Sequence, residues 1–116
     1  PVAPLSDIKY LFNLDMIADN NPKQYCEFND VAMDGYALFD KINAEKGYFE
    51  ALDRHELDEN SDHWPFAKKN VPVVFFMNEH GDAYKYYHTV HDTYQNHIST
   101  NYEPSFKIIE DFIKRY

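Results

Sequence analysis

The chain has 116 residues, 44% of them hydrophobic and 17% aromatic, enough to bury a core within one domain or a part of one. Twenty acidic against eleven basic residues give a net charge of −9, and no Lys/Arg run exceeds a pair, which argues against nucleic acid and anionic membrane as partners. The single cysteine, Cys26, excludes an intrachain disulfide and a Cys-based zinc site, and no apolar run approaches the roughly 20 residues of a membrane span.

In chain order, the run Ile8 to Ile17 predicts a strand buried on both faces, with the carboxylate of Asp15 near its end. A shorter strand is expected from Gln24 to Phe28. A helix is expected from Gly35 to Lys46, with Asp34 as N-cap, Tyr36, Leu38, Phe39 and Ile42 inward, and Gly47 as its stop. A short helix near Pro65 to Lys69 then feeds the apolar strand Val71 to Met77, where Pro72 is tolerated near the start. The last element is an amphipathic helix from about Pro104, with Phe106, Ile109, Ile113 and Tyr116 inward and a Glu110–Lys114 pair outward. Strands alternating with helices predict an α/β fold, in one domain or a fragment of a larger one. The start Pro1-Val2-Ala3-Pro4 lacks the basic and apolar regions of a signal peptide, and a leader removed upstream would leave no trace.

Three places can carry chemistry. Asp15 lies at the end of a buried strand, where open α/β sheets place ligands; its alternative role is a cap or ion-pair partner. His88, in Tyr86-Tyr87-His88-Thr89, is a possible nitrogen ligand with Asp92 or a backbone carbonyl to orient it, or a hydrogen-bonded loop histidine. Asp62 and His63 precede the short helix, where Asp62 either caps it or faces the site. His55-Glu56-Leu57-Asp58-Glu59 is not the His-Glu-x-x-His helix, because Glu59 replaces the second histidine. His91 and His97 are expected at the surface, and the Asn78 to Asp82 cluster is expected either to form a turn or to bring Glu79 toward the site.

Asn13-Leu14-Asp15-Met16-Ile17, Ser61-Asp62-His63-Trp64-Pro65-Phe66, the strand Val71 to Phe76 and Tyr87-His88-Thr89-Val90-His91-Asp92-Thr93 together resemble the C-terminal half of the zinc-dependent exopeptidases related to bacterial leucyl aminopeptidases. The resemblance implies the zinc-exopeptidase (phosphorylase/hydrolase-like) fold, a mixed sheet flanked by helices, with residues 1–116 a single domain that is the C-terminal part of a metallo-aminopeptidase catalytic domain, two zinc ions at the C-terminal ends of the strands, and a peptide as substrate. It implies that Asp15 is a ligand to one zinc and His88 to the other, with Asp62 and His63 supporting the site by hydrogen bonds. It favours a secreted or periplasmic location.

The chain also departs from that pattern. Family members carry a further His, a bridging carboxylate and an acidic pair before the Asp15 strand, whereas only fourteen residues precede Asp15 here and none is His or Glu. Two ligands divided between two metals fall short of the roughly three per metal of a catalytic site. The expectation is a portion of a metallo-aminopeptidase that is inactive alone, binds zinc weakly or not at all, and self-associates as a dimer or swapped oligomer through an exposed sheet edge. Two other readings stand beside it: a glutaminyl cyclase-like aminoacyltransferase, which resembles the same superfamily, and a non-catalytic module that keeps the fold.

Overall fold

The apolar segment Val73–Asn78 (β4) has buried side chains on both faces, which requires neighbours on both edges and cover above and below. A computed structural model, which describes residues 4–15, 17, 23–78, 89–91, 93 and 102–116, supplies them. β4 lies between Leu11–Leu14 (β1), parallel to it, and Lys23–Phe28 (β2), antiparallel to it. A fourth strand, Ala51–His55 (β3), runs parallel to β2, giving the order β1-β4-β2-β3. The result is the expected mixed sheet flanked by helices. The C-terminal ends of β1 and β4 therefore share one end of the sheet, and those of β2 and β3 the other.

β3 was not anticipated from the sequence. Ala-Leu-Asp-Arg-His has no apolar run, and none of its side chains is buried, because the strand sits at the sheet edge. Asn29 fixes the far end of β4: its Nδ2 donates to the Val71 carbonyl at 2.8 Å and its Oδ1 accepts from Val73 N–H at 2.9 Å. One side-chain amide thus supplies both halves of a strand-like pairing.

The helix Met33–Lys46 (α1) follows a 3₁₀ turn at Asp30–Ala32, and a short helix, Trp64–Ala67 (α2), precedes β4 as expected. Asp34, expected as the N-cap of α1, instead sits inside its first turn, where its Oδ1 accepts from Gly35 N–H and from the Tyr10 hydroxyl. A Cβ at Gly35 would come within 2.8 Å of the Tyr10 ring, so any larger residue there would displace that ring. Gly47 ends the helix as expected, in the left-handed region at φ 65°, with its N–H on the Asn43 carbonyl at 2.7 Å.

The helix Tyr102–Arg115 (α3) corrects the sequence reading of its faces. Ser105, Ile108 and Phe112 are buried, whereas Phe106 is 60% and Ile113 65% exposed, and Tyr116 is exposed too. The apolar arc of α3 is broad enough to hold two stripes, and tertiary contacts choose between them. Ser105 Oγ donates to Gln24 Oε1 at 2.9 Å on β2, and Tyr48 Oη donates to Asp111 Oδ2 at 2.6 Å beside α1. These bonds turn the 105–108–112 stripe onto the sheet. The outward Glu110–Lys114 pair stands as expected, at 2.7 Å.

The core between helices and sheet is aromatic. Phe39 of α1 and Phe112 of α3 stack at 4.2 Å with planes 4° apart, and Phe12 and Phe76 meet Phe39 edge-on at 6.1 and 5.1 Å. Cys26 is fully buried beside them and donates to the Gln24 carbonyl at 3.3 Å. Burial pushes its thiol well above the usual range, with the carboxylates of Asp53 and Asp40 adding to the effect. Cys26 is therefore expected to resist iodoacetamide in the folded chain and to react fully in urea. Mass spectrometry of the quenched mixture checks this, and rapid native alkylation would contradict the packing.

Candidate functional site

Strand pairing carries through to the first residue beyond β1: Asp15 N–H donates to the Phe76 carbonyl at 3.0 Å. The main chain of Asp15 is thus held by the sheet. Its carboxylate is exposed and makes no hydrogen bond or ion pair among the described residues. The cap and ion-pair roles considered from the sequence are not seen there.

Two residues earlier, Asn13 points to the sheet face opposite Phe12 and the helices. Its Nδ2 group donates to Ser61 Oγ at 2.9 Å and meets His63 Nδ1 at 3.2 Å. The other ring nitrogen, His63 Nε2, lies 2.7 Å from the Asp58 carbonyl. A carbonyl only accepts, so Nε2 carries the proton and Nδ1 offers its lone pair to Asn13. This fixes one neutral tautomer. His63 is fully buried, with its ring 4.8 Å from that of Phe75. Both nitrogens are committed to protein partners, so His63 has no lone pair free for a metal.

The chain of bonds continues into β2. Asp58 N–H donates to Glu27 Oε2 at 2.8 Å, and the Tyr25 hydroxyl donates to Glu27 Oε1 at 3.0 Å. Glu27 is 2% exposed, so these two donors satisfy a carboxyl group removed from water. Beside Glu27, the Tyr25 phenol is pushed up to about 12 by burial and by the hydrogen bond to that carboxylate. Asn13, His63, the Asp58 backbone and Glu27 form one network across this face, joining β1 to β2.

The network fixes the Ser61-Asp62-His63 turn against β1, two residues before Asp15. Helix α2 starts immediately after, and no side chain caps it, so the capping role considered for Asp62 is not what the structure shows. Asp62 is exposed. His88, the other expected ligand, lies outside the described residues, as do Asp92, His97 and the 79–82 part of the turn cluster. His91 is exposed, as expected. Among the described residues no group of three or more His, Cys, Asp or Glu side chains could hold a metal. No helix among them is long and apolar enough to cross a membrane.

Sequence reasoning did not single out Glu27 or Asp58. Glu27 has no local signal: a carboxylate in a strand reads as solvated, and only the register with β4 buries it. A cavity of 420 Å³ lined in part by Phe28, Arg54, Glu56, Leu57, Trp64 and Lys68 lies at the opposite end of the sheet, beyond β2 and β3. It is separate from the Asp15 end.

The sequence model of Peptidase family M28 matches residues 2–113. Among solved structures, Legionella pneumophila LapA is similar, with a TM-score of 0.66 at 17% identity, over 90% of this chain and 30% of that one. The chain thus spans about a third of the length of LapA. Among curated proteins no significant sequence match was found.

Proposed function

Because the chain belongs to peptidase family M28, we propose that it forms part of the catalytic unit of a zinc-dependent aminopeptidase that releases N-terminal residues from peptides. The observation that carries this reading is the exposed carboxylate of Asp15 at the shared C-terminal end of β1 and β4, beside a polar turn fixed from beneath by Asn13 and His63. In the proposal Asp15 and His88 are ligands to different zinc ions, and His63 is a positioning residue in its neutral tautomer. Zinc would supply a Lewis acid for the peptide carbonyl and an acidified water.

The described residues do not form a zinc site on their own. What this chain contributes is geometric. It holds Asp15 on the main-chain ladder and anchors the Ser61 to His63 turn to β1 through the Asn13 amide and the buried His63 ring. In this reading the 116-residue chain alone shows no stoichiometric zinc binding by calorimetry, and tight binding would contradict the division of ligands.

The activity is tested on the natural gene product that carries this chain. Chelator-sensitive release of nitroaniline from aminoacyl-nitroanilides is the expected result. Cyclisation of N-terminal glutaminyl peptides without that release would assign it to the aminoacyltransferases, and neither activity would make it a non-catalytic module.

A further inference from the structure

Packing alone does not explain the carboxyl group of Glu27. Asn13 pairs with Phe75 across β1 and β4, and Phe75 pairs with Glu27 across β4 and β2, so the three residues form one row across the sheet. Directly opposed residues share a face, which here is the face away from α1 and α3. The buried ring of His63 lies against Phe75 in the middle of that row. At 2% exposure Glu27 carries a desolvation cost that an apolar residue at the same position would not. What the carboxyl adds is an acceptor fixed on the sheet ladder. Its Oε2 accepts the Asp58 N–H at 2.8 Å, and the carbonyl of the same Asp58 accepts from His63 Nε2 at 2.7 Å. The Asp58 carboxylate is engaged within its own loop, with Glu59 N–H at 2.6 Å and the Asn60 amide at 3.0 Å, so the tie from this loop to β2 is the bond to Glu27.

We infer that Glu27 is a positioning residue for the Asp15 end of the sheet: through the Asp58 main chain it selects the neutral tautomer of His63 and sets where the Ser61 to His63 turn stands beside β1. This rests on the aminopeptidase reading and adds a residue to it. With Asp58 anchored, its carbonyl faces Nε2, which must then carry the proton. Nδ1 is left as the acceptor for the Asn13 amide, which also reaches Ser61 Oγ two residues before Asp15. Released from Glu27, the Asp58 carbonyl is free to turn away, and both the tautomer and the register of the turn lose what fixes them. A misplacement of about 1 Å caused far from the chemistry can cost about 100-fold in rate, so a residue that never touches substrate is expected to act on kcat. Tyr25 completes the Glu27 carboxyl without touching Asp58, which makes it the internal control.

The test uses the natural gene product. Glu27→Leu keeps most of the volume and removes the acceptor. Glu27→Gln keeps one, because its Oε1 can take the Asp58 N–H while its amide donates to the Tyr25 hydroxyl, and Tyr25→Phe leaves the Asp58 bond in place. E27L is expected to lower kcat on aminoacyl-nitroanilides about tenfold or more, with KM within about threefold of wild type. It should also speed amide exchange at Asp58 about tenfold or more relative to the core amides of β4, and its His63 ring nitrogen-15 signals should leave the single Nε2-protonated pattern. E27Q and Y25F should stay within about threefold of wild type in every readout. All are measured well below each variant's thermal midpoint, where a merely structural loss lowers the midpoint and leaves kcat and the His63 pattern unmoved. Where E27L does not fold, Glu27→Asp, one methylene short of the Asp58 N–H, takes its place with a loss of about threefold or more expected. Wild-type kcat and an unchanged His63 pattern in that variant would overturn the proposal, and so would E27Q as damaged as E27L. A wild-type enzyme without turnover would overturn the aminopeptidase reading itself, a result seen before any substitution is made.

Discussion

Phe39→Ala is expected to cost about 3–5 kcal/mol, the range for removing a fully buried phenylalanine from a packed core. A small domain has only about 5–15 kcal/mol in total, so this substitution should leave the chain near its folding threshold. Phe39 stacks face to face on Phe112 and packs against Phe12, Phe28 and Phe76, so its removal opens a void among four rings. Phe106→Ala is the matched control: the same atoms are deleted from a ring that is 60% exposed, and the expected loss is within about 0.5 kcal/mol. Urea unfolding followed by circular dichroism checks both, with the midpoint falling steeply for Phe39→Ala alone. Equal losses would mean that α3 presents the Phe106 stripe to the core after all.

His63→Ala is the second large effect, about 2–4 kcal/mol. The substitution leaves a cavity on Phe75 and strips partners from the Asp58 carbonyl and from one Asn13 amide hydrogen. His63→Leu refills much of the volume but restores neither hydrogen bond, so it should recover part of the loss and no more. The Asp58 amide, whose bond to Glu27 depends on the same loop, should exchange with solvent faster in both variants. Full rescue by leucine would show that His63 acts by volume alone. Zinc-dependent stabilisation lost on mutating His63 would show that it ligates metal, contrary to the tautomer fixed here.

The elements with one unambiguous signal were legible in the sequence. The run Val73 to Phe76 is apolar on both faces, and Gly47 at the end of α1 marks a left-handed stop. Two kinds of feature were hidden. One is polar burial: Gln24, Glu27, His63 and Ser105 are all buried, and each has a hydrogen-bond partner distant in the chain. The other is choice among apolar stripes. In α3 the 106–109–113–116 spacing fits a buried face as well as 105–108–112 does, and Ser105 in the second stripe argued against it. The bonds from Ser105 to Gln24 and from Tyr48 to Asp111 decide between them. The candidate site divides the same way: Asp15 was legible from its place at a strand end, whereas the support under Ser61 to His63 depends on register between strands.

The central claim is that Asp15 holds zinc in an M28 aminopeptidase. Its most direct test is Asp15→Asn in the natural gene product, reading zinc content and aminoacyl-nitroanilide turnover together with the thermal midpoint. Outer-shell partners of metal ligands are worth about 10–100-fold, so loss of a ligand itself should lower turnover by about 100-fold or more and reduce bound zinc. The fold should be unchanged, because only the main chain of Asp15 pairs with the sheet. Wild-type turnover with full zinc content in the Asp15→Asn variant would contradict the claim.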